Sequence, residues 1–139
     1  MTAKVVLNPY SNRWNAQKRW PDAEAALKSA GVDFDLAISQ RKGHIIELVE
    51  QAVRDNFSPI IVAGGDGSLG EAVNGLARAA KSKTEVVGPL GIMPIGSAND
   101  LAKLLPHSTY NVVPGDHNHA SGTAEFSKAV IAFLKNNNY

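Results

Sequence analysis

Apolar positions along the chain follow two periods in turn. Lys4-Val5-Val6-Leu7, Phe34 to Ile38, Ile60-Ile61-Val62-Ala63 and Leu90-Gly91-Ile92-Met93 are short runs, β-branched or alternating, and each reads as a strand. Between them the spacing widens to the helical one. A helix is expected over roughly 16–30, with Trp20, Ala23, Leu27 and Ala30 on one face and Gly31 ending it. Pro21-Asp22 inside that span predicts a second start or a kink. A second helix, about 44–55, turns Ile45, Leu48, Val49, Ala52 and Val53 inward. A third begins near Ser68, where Ala72, Val73, Leu76 and Ala80 recur. Residues 81–88 read as a polar linker, 107–122 as a loop without period, and 124–135 as a last helix.

Strands alternating with helices of this length mean βαβ units. The expected fold is therefore α/β, an open and mostly parallel sheet of about four to six strands with helices on both faces and right-handed crossovers. Ligands of such sheets bind at the C-terminal ends of the strands. Four polar or glycine-rich turns fall there: 8–11, 39–43, 64–68 and 96–99.

Composition narrows this picture little. The 139 residues carry a net charge of +1 and are 44% hydrophobic and 19% charged, so there is no electrostatic case for nucleic acid. The absence of cysteine excludes disulfides and thiol catalysis and suits a cytoplasmic setting. No apolar run is long enough for a transmembrane helix, and no signal peptide is expected.

The turn after the third strand holds the chemistry. Gly64-Gly65-Asp66-Gly67-Ser68 joins a strand to a helix, an arrangement that brings backbone N–H groups and a helix N-terminus to an anion such as phosphate. The glycines serve positive φ or close backbone approach. Asp66 is the odd member: it is either an ordinary N-cap or a carboxylate for a metal ion or a substrate hydroxyl. Glu71 and Asn74, three apart, share the helix face that looks back to the turn. Neither a P-loop nor a dinucleotide fingerprint occurs. The Asp116-His117-Asn118-His119 run has metal-ligand residue types but lacks the further ligands of a tetrahedral site, and it reads as a solvated loop. Trp14 and Trp20 read as packing residues ahead of membrane contacts. Arg13, Lys18 and Arg19 read as a solvated helix face, and His44 as a helix-start residue bonded to backbone.

Gly64-Gly65-Asp66-Gly67-Ser68, Glu71 and Asn74-Gly75-Leu76 together resemble the signature of the diacylglycerol kinase catalytic domain superfamily. That group includes bacterial lipid kinases, sphingosine and ceramide kinases and, more distantly, NAD kinases and phosphofructokinases. Asn8-Pro9-x-Ser11 resembles its opening motif. Ser39-x-x-x-Gly43-His44 resembles its Thr-x-x-x-Gly-His-Ala. The stretch from Gly91 to Ala102 resembles its Gly-x-x-Pro-x-Gly-Thr-Gly-Asn-Asp-Phe-Ala. The likeness spans roughly residues 4–105, and the Gly-His and Asn-Asp pairs favour the lipid-kinase branch.

The resemblance implies an ATP-dependent phosphotransferase that uses Mg²⁺ and a lipid hydroxyl of the diacylglycerol or sphingoid type. Asn8, Ser11 and Ser39 would touch nucleotide or phosphate. Gly65, Gly67 and Ser68 would cradle phosphates, with Glu71 near the nucleotide and Gly96, Ser97 and Asn99 closing the other side. Asp66 would be the general base or would hold Mg²⁺. Peripheral membrane contact and self-association are compatible partners. Asn12 stands where the family has glycine, and Ala98 replaces the second glycine of Gly-Thr-Gly-Asn. Family members continue into a β-rich second domain, so the chain is expected to be a single nucleotide-binding domain over residues 1–139. A nucleotide-binding module without catalysis, or an NAD kinase-like enzyme, are the alternatives.

Overall fold

In the computed structural model, which describes residues 2–82, 87 and 89–95, four strands and three helices alternate. They are β1 (Ala3–Leu7), α1 (Asn15–Ser29), β2 (Phe34–Ile38), α2 (His44–Arg54), β3 (Ile60–Gly64), α3 (Asp66–Ala79) and β4 (Leu90–Pro94). The sheet order is β2-β1-β3-β4, and every pairing is parallel. The expected open parallel α/β sheet is therefore present. The expected turn at 96–99, loop at 107–122 and helix at 124–135 lie outside the described residues.

The strand order reverses direction at β1. The first crossover steps outward from β1 to β2, whereas the later two step the other way, through β3 to β4. Crossovers of one hand must then place their helices on opposite faces. Accordingly α1 covers one face, where Val5, Leu7, Ile61, Ala63 and Met93 meet Trp20, Ala23 and Leu27. On the other face, Val6, Ile60 and Val62 meet Ile45, Val49 and Ala52 of α2 and Ala72 of α3. All five residues of β3 are buried, which explains its unbroken apolar run in a strand covered on both sides. Each large aliphatic side chain buried in this way contributes roughly 1.5–3 kcal/mol.

Local signals account for the element ends. Gly31 has φ +72, its N–H donates to the Lys28 carbonyl, and the Val32 N–H donates to Leu27, which together close α1. Asn56 ends α2 in the same way at φ 62, with N–H bonds from Asn56 to Val53 and from Phe57 to Ala52. An added Cβ at Gly31 would meet nothing within 4 Å, so backbone conformation alone is at stake there. Gly31→Ala is expected to cost about 1 kcal/mol, read as a lower urea midpoint at unchanged slope.

Four details differ from the sequence expectation. α1 runs unbroken through Pro21. Trp20 is buried edge-on against Phe34 with ring centroids 6.3 Å apart, whereas Trp14 is 53% exposed and stacks edge-on with Tyr10. Arg19 is not part of a solvated face: it is buried, and its guanidinium donates to the Ile95 carbonyl at 3.4 Å, bridging α1 to the end of β4. In α3 the buried positions are Ser68, Leu69, Ala72 and Gly75, while Val73 is exposed. The cause is Gly75, which apolar periodicity does not count. A Cβ there would lie 2.7 Å from the Ile46 carbonyl oxygen and 2.8 Å from the Val49 Cβ, so backbone-to-helix contact sets the rotation of α3.

Candidate functional site

The switch in strand direction lies between β1 and β3, and their C-terminal ends open a crevice there. Two backbone bonds and a set of side-chain ties assemble its walls. The Asn8 N–H donates to the Ala63 carbonyl and the Ser39 N–H to the Leu7 carbonyl, each at 2.8–2.9 Å, so the turns after β1, β2 and β3 are held together. The Asn8 side chain spans the gap: its amide donates to the Ser68 hydroxyl at 2.9 Å, and its carbonyl oxygen accepts from the Tyr10 N–H at 3.1 Å. The Ser11 hydroxyl lies 3.4 Å from that of Ser68. Ser68 is buried, so this trio fixes the loop after β1 onto the first turn of α3.

The helix begins two residues earlier than its periodicity indicates. Gly65 is its N-cap in extended conformation, Asp66 stands in the first turn, and the Leu69 N–H closes onto the Gly65 carbonyl. Asp66 is thus not the cap itself. A carboxylate in the first turn is favoured by the helix dipole. Neither Gly64 nor Gly67 has positive φ, so close approach is what the turn requires. A Cβ at Gly64 would strike the Ser68 side chain, with its Cβ at 2.7 Å. At Gly67 a Cβ would meet nothing, which leaves that backbone open.

The second wall is the turn between β2 and α2. Gly43 takes φ +80, and its N–H donates to Glu71 Oε1 at 3.0 Å, tying this turn to α3. Glu71 Oε2 is buried with no hydrogen-bond partner among the described residues, an acceptor suited to a ligand donor. The Ser39 hydroxyl donates to the Arg41 carbonyl at 3.2 Å, and the Tyr10 hydroxyl to the Gln40 carbonyl at 3.1 Å. His44 Nδ1 accepts the Gln40 N–H at 3.0 Å, which gives it the expected helix-start role. Arg41 pairs with Glu47 at 2.7 Å, and that hydrogen bond and charge hold the Glu47 carboxyl below its usual range. The pair lends stability above the ordinary carboxylate pKa that fades as pH falls through the lowered one, and solvent screens it.

Together these elements enclose an open cleft of about 490 Å³. Eight of the residues expected at the site line it: Asn8, Ser11, Ser39, Gly65, Asp66, Gly67, Ser68 and Glu71. Gly96, Ser97 and Asn99 lie outside the described residues. Asn12, noted from sequence only as standing where the family has glycine, lines it too, and so do three residues not singled out there: Tyr10, Arg41 and Lys42. The signal available for the last two was a pair of cations in a turn at a strand's C-terminal end. Asn12 adopts φ 54, followed by Arg13 at 52 and Trp14 at 70. Asparagine tolerates this region better than most residues, so it can stand where a glycine would be usual.

Comparison with known proteins agrees with this fold. A family model for the diacylglycerol kinase catalytic domain matches residues 2–131. Proteins named diacylglycerol kinase from Staphylococcus aureus, strains bovine RF122 / ET3-1 and MRSA252, are 32% identical over 103 residues, which is 74% of this chain and 31% of theirs. The chain therefore spans about a third of the length of these curated relatives. A crystal structure of a diacylglycerol kinase from Bacillus anthracis str. Sterne shares the fold with a TM-score of 0.65 at 22% identity, over 92% of this chain and 42% of that one. With a family match over nearly its whole length and relatives of this identity, the chain belongs to the diacylglycerol kinase catalytic domain family.

Proposed function

We propose that this domain binds ATP in the cleft between the turns after β1, β2 and β3, as the nucleotide-binding half of a lipid kinase. The observation that carries the reading is the convergence of three turns at the strand-order switch, where the start of α3 and the open backbone at Gly67 meet two cationic side chains, Arg41 and Lys42. Phosphates belong at the Gly65–Ser68 end. The buried Glu71 Oε2 takes a hydrogen-bond donor of the nucleotide. Among the described residues no group of three potential ligands gathers around a metal. Mg²⁺ is commonly held by one or two carboxylates plus substrate phosphates, and Asp66 fits that pattern.

In transfer, the lipid hydroxyl oxygen bonds to the γ-phosphorus, the bond to the bridging oxygen breaks, and ADP leaves. The Asp66 carboxylate takes the hydroxyl proton, or holds the metal that neutralises phosphate charge. The acceptor is a lipid of diacylglycerol or sphingoid type, and the contact with membrane is peripheral. Among the described residues no helix is long and apolar enough to cross a membrane. A nucleotide-binding role without transfer by the isolated chain is the second reading, favoured by the share of the relatives' length that the chain covers.

Calorimetry on the chain should show one Mg-ATP site, and a lipid-kinase assay run beside it separates the two readings. Binding with turnover supports the kinase; binding without turnover supports the module. No heat of binding at millimolar Mg-ATP would sink both.

A further inference from the structure

Among the described residues, the charges lining the cleft are two carboxylates, Asp66 and Glu71, and two cations, Arg41 and Lys42. A bound nucleoside triphosphate adds several negative charges, so this wall must supply a cation that is not already spoken for. Arg41 is partly engaged: one terminal nitrogen donates to both oxygens of Glu47, at 2.9 and 2.7 Å, which holds its charge toward α2. Lys42, by contrast, is exposed and has no ion pair or side-chain hydrogen bond among the described residues. Its flexible stem allows the ammonium to follow a phosphate.

The backbone beneath Lys42 is held from the opposite wall. Gly43, the next residue, sits at φ +80 with nothing within 4 Å of its missing Cβ, and its N–H is fixed by Glu71 Oε1 at 3.0 Å. That bond leaves the Gly43 N–H unavailable to a ligand, so the turn's contribution to an anion comes from the Lys42 side chain. The same bond ties the turn to α3, the helix whose N-terminus faces the phosphates in the reading above.

From this geometry we infer that Lys42 is a phosphate-binding residue of the cleft and that Glu71 is its positioning residue, acting through the Gly43 N–H. The inference rests on the nucleotide reading of the cleft, and it goes further in dividing the wall into a ligand and its brace. Charge-assisted contacts of this kind are salt-sensitive.

The test is calorimetry on the full chain with Mg-ATP, inorganic tripolyphosphate and adenosine, at low and high salt. Lys42→Gln should weaken tripolyphosphate and Mg-ATP by roughly tenfold at low salt and by less at high salt. Adenosine binding should stay within twofold of wild type. Lys42→Arg should recover most of the loss, which a mere change of surface packing would not do. Glu71→Ala should weaken tripolyphosphate in the wild-type background but add little on top of Lys42→Gln, because the brace acts through the lysine. Tripolyphosphate binding undiminished by Lys42→Gln would overturn the assignment of Lys42 and leave the nucleotide reading standing. Equal losses for adenosine and tripolyphosphate would overturn it as well. Wild-type chain that binds no polyphosphate at all would remove both.

Discussion

Asp66→Ala is expected to lower transfer to a lipid hydroxyl by about a thousandfold, within the range for loss of a positioned acid–base group. That is about 4 kcal/mol of barrier. Asp66 lines the cleft from the first turn of α3, within two residues of the Ser68 hydroxyl that ties the loop after β1 to that helix. The loss should be seen in a lipid-kinase assay of the full-length protein with Mg-ATP saturating. Asp66→Asn should lose nearly as much, since it keeps shape and removes the charge. The two roles proposed for Asp66 separate on binding. A general base can be removed with Mg-ATP affinity within a few fold of wild type, whereas a magnesium-holding carboxylate cannot. The fold should survive, because Asp66 is only half-buried and belongs to neither hydrophobic cluster. Undiminished turnover of Asp66→Ala would refute both roles.

Gly75→Val should act on stability with a comparable size. The added Cβ would lie 2.7 Å from a backbone carbonyl of α2, which cannot move aside as a side-chain tip can. Forced separation of α2 from α3 costs about 3 kcal/mol, which lowers the melting temperature by roughly 10 °C in a domain of this size. The consequence reaches the cleft, since α2 starts directly after Gly43 and α3 carries Asp66, Ser68 and Glu71. Separating the helices pulls Glu71 from the Gly43 N–H, so phosphate binding should weaken along with stability. Gly70 provides the opposite case within the same helix. Nothing lies within 4 Å of its missing Cβ, so Gly70→Ala should stabilise by about 0.5–1 kcal/mol through helix propensity. If thermal melts of the two variants moved in the same direction, close contact at Gly75 would not be the controlling feature.

Much of this protein was legible in its residues. Strands of a parallel sheet are buried on both faces, so their apolar runs stand out, and all four lay where the runs predicted. Glycine at a helix end and proline at a strand end act through their own backbone chemistry, so Gly31 and Asn8-Pro9 could be read locally. The topological rule that ligands bind at strand C-termini then gathered the candidate residues into one place, and eight of them line one cleft.

What local patterns could not supply was any relation between positions distant in the chain. Arg19 resembled its exposed neighbours Arg13 and Lys18 until β4 brought the Ile95 carbonyl within reach of its guanidinium. Val73 looked inward by period, yet the contact of the Gly75 backbone with α2 turned it to solvent. Arg41 and Lys42 were equivalent cations in a turn until Glu47, one helical turn into α2, took one of them. Burial and turn chemistry are written residue by residue, so the element order, the parallel sheet and the edge at which the site lies could all be read from the residues. Tertiary structure alone decided which side chains meet across that edge: Asn8 with Ser68 over 60 positions, and Glu71 with Gly43 over 28. Those meetings follow from the reversal of strand order at β1, and no local pattern encodes them.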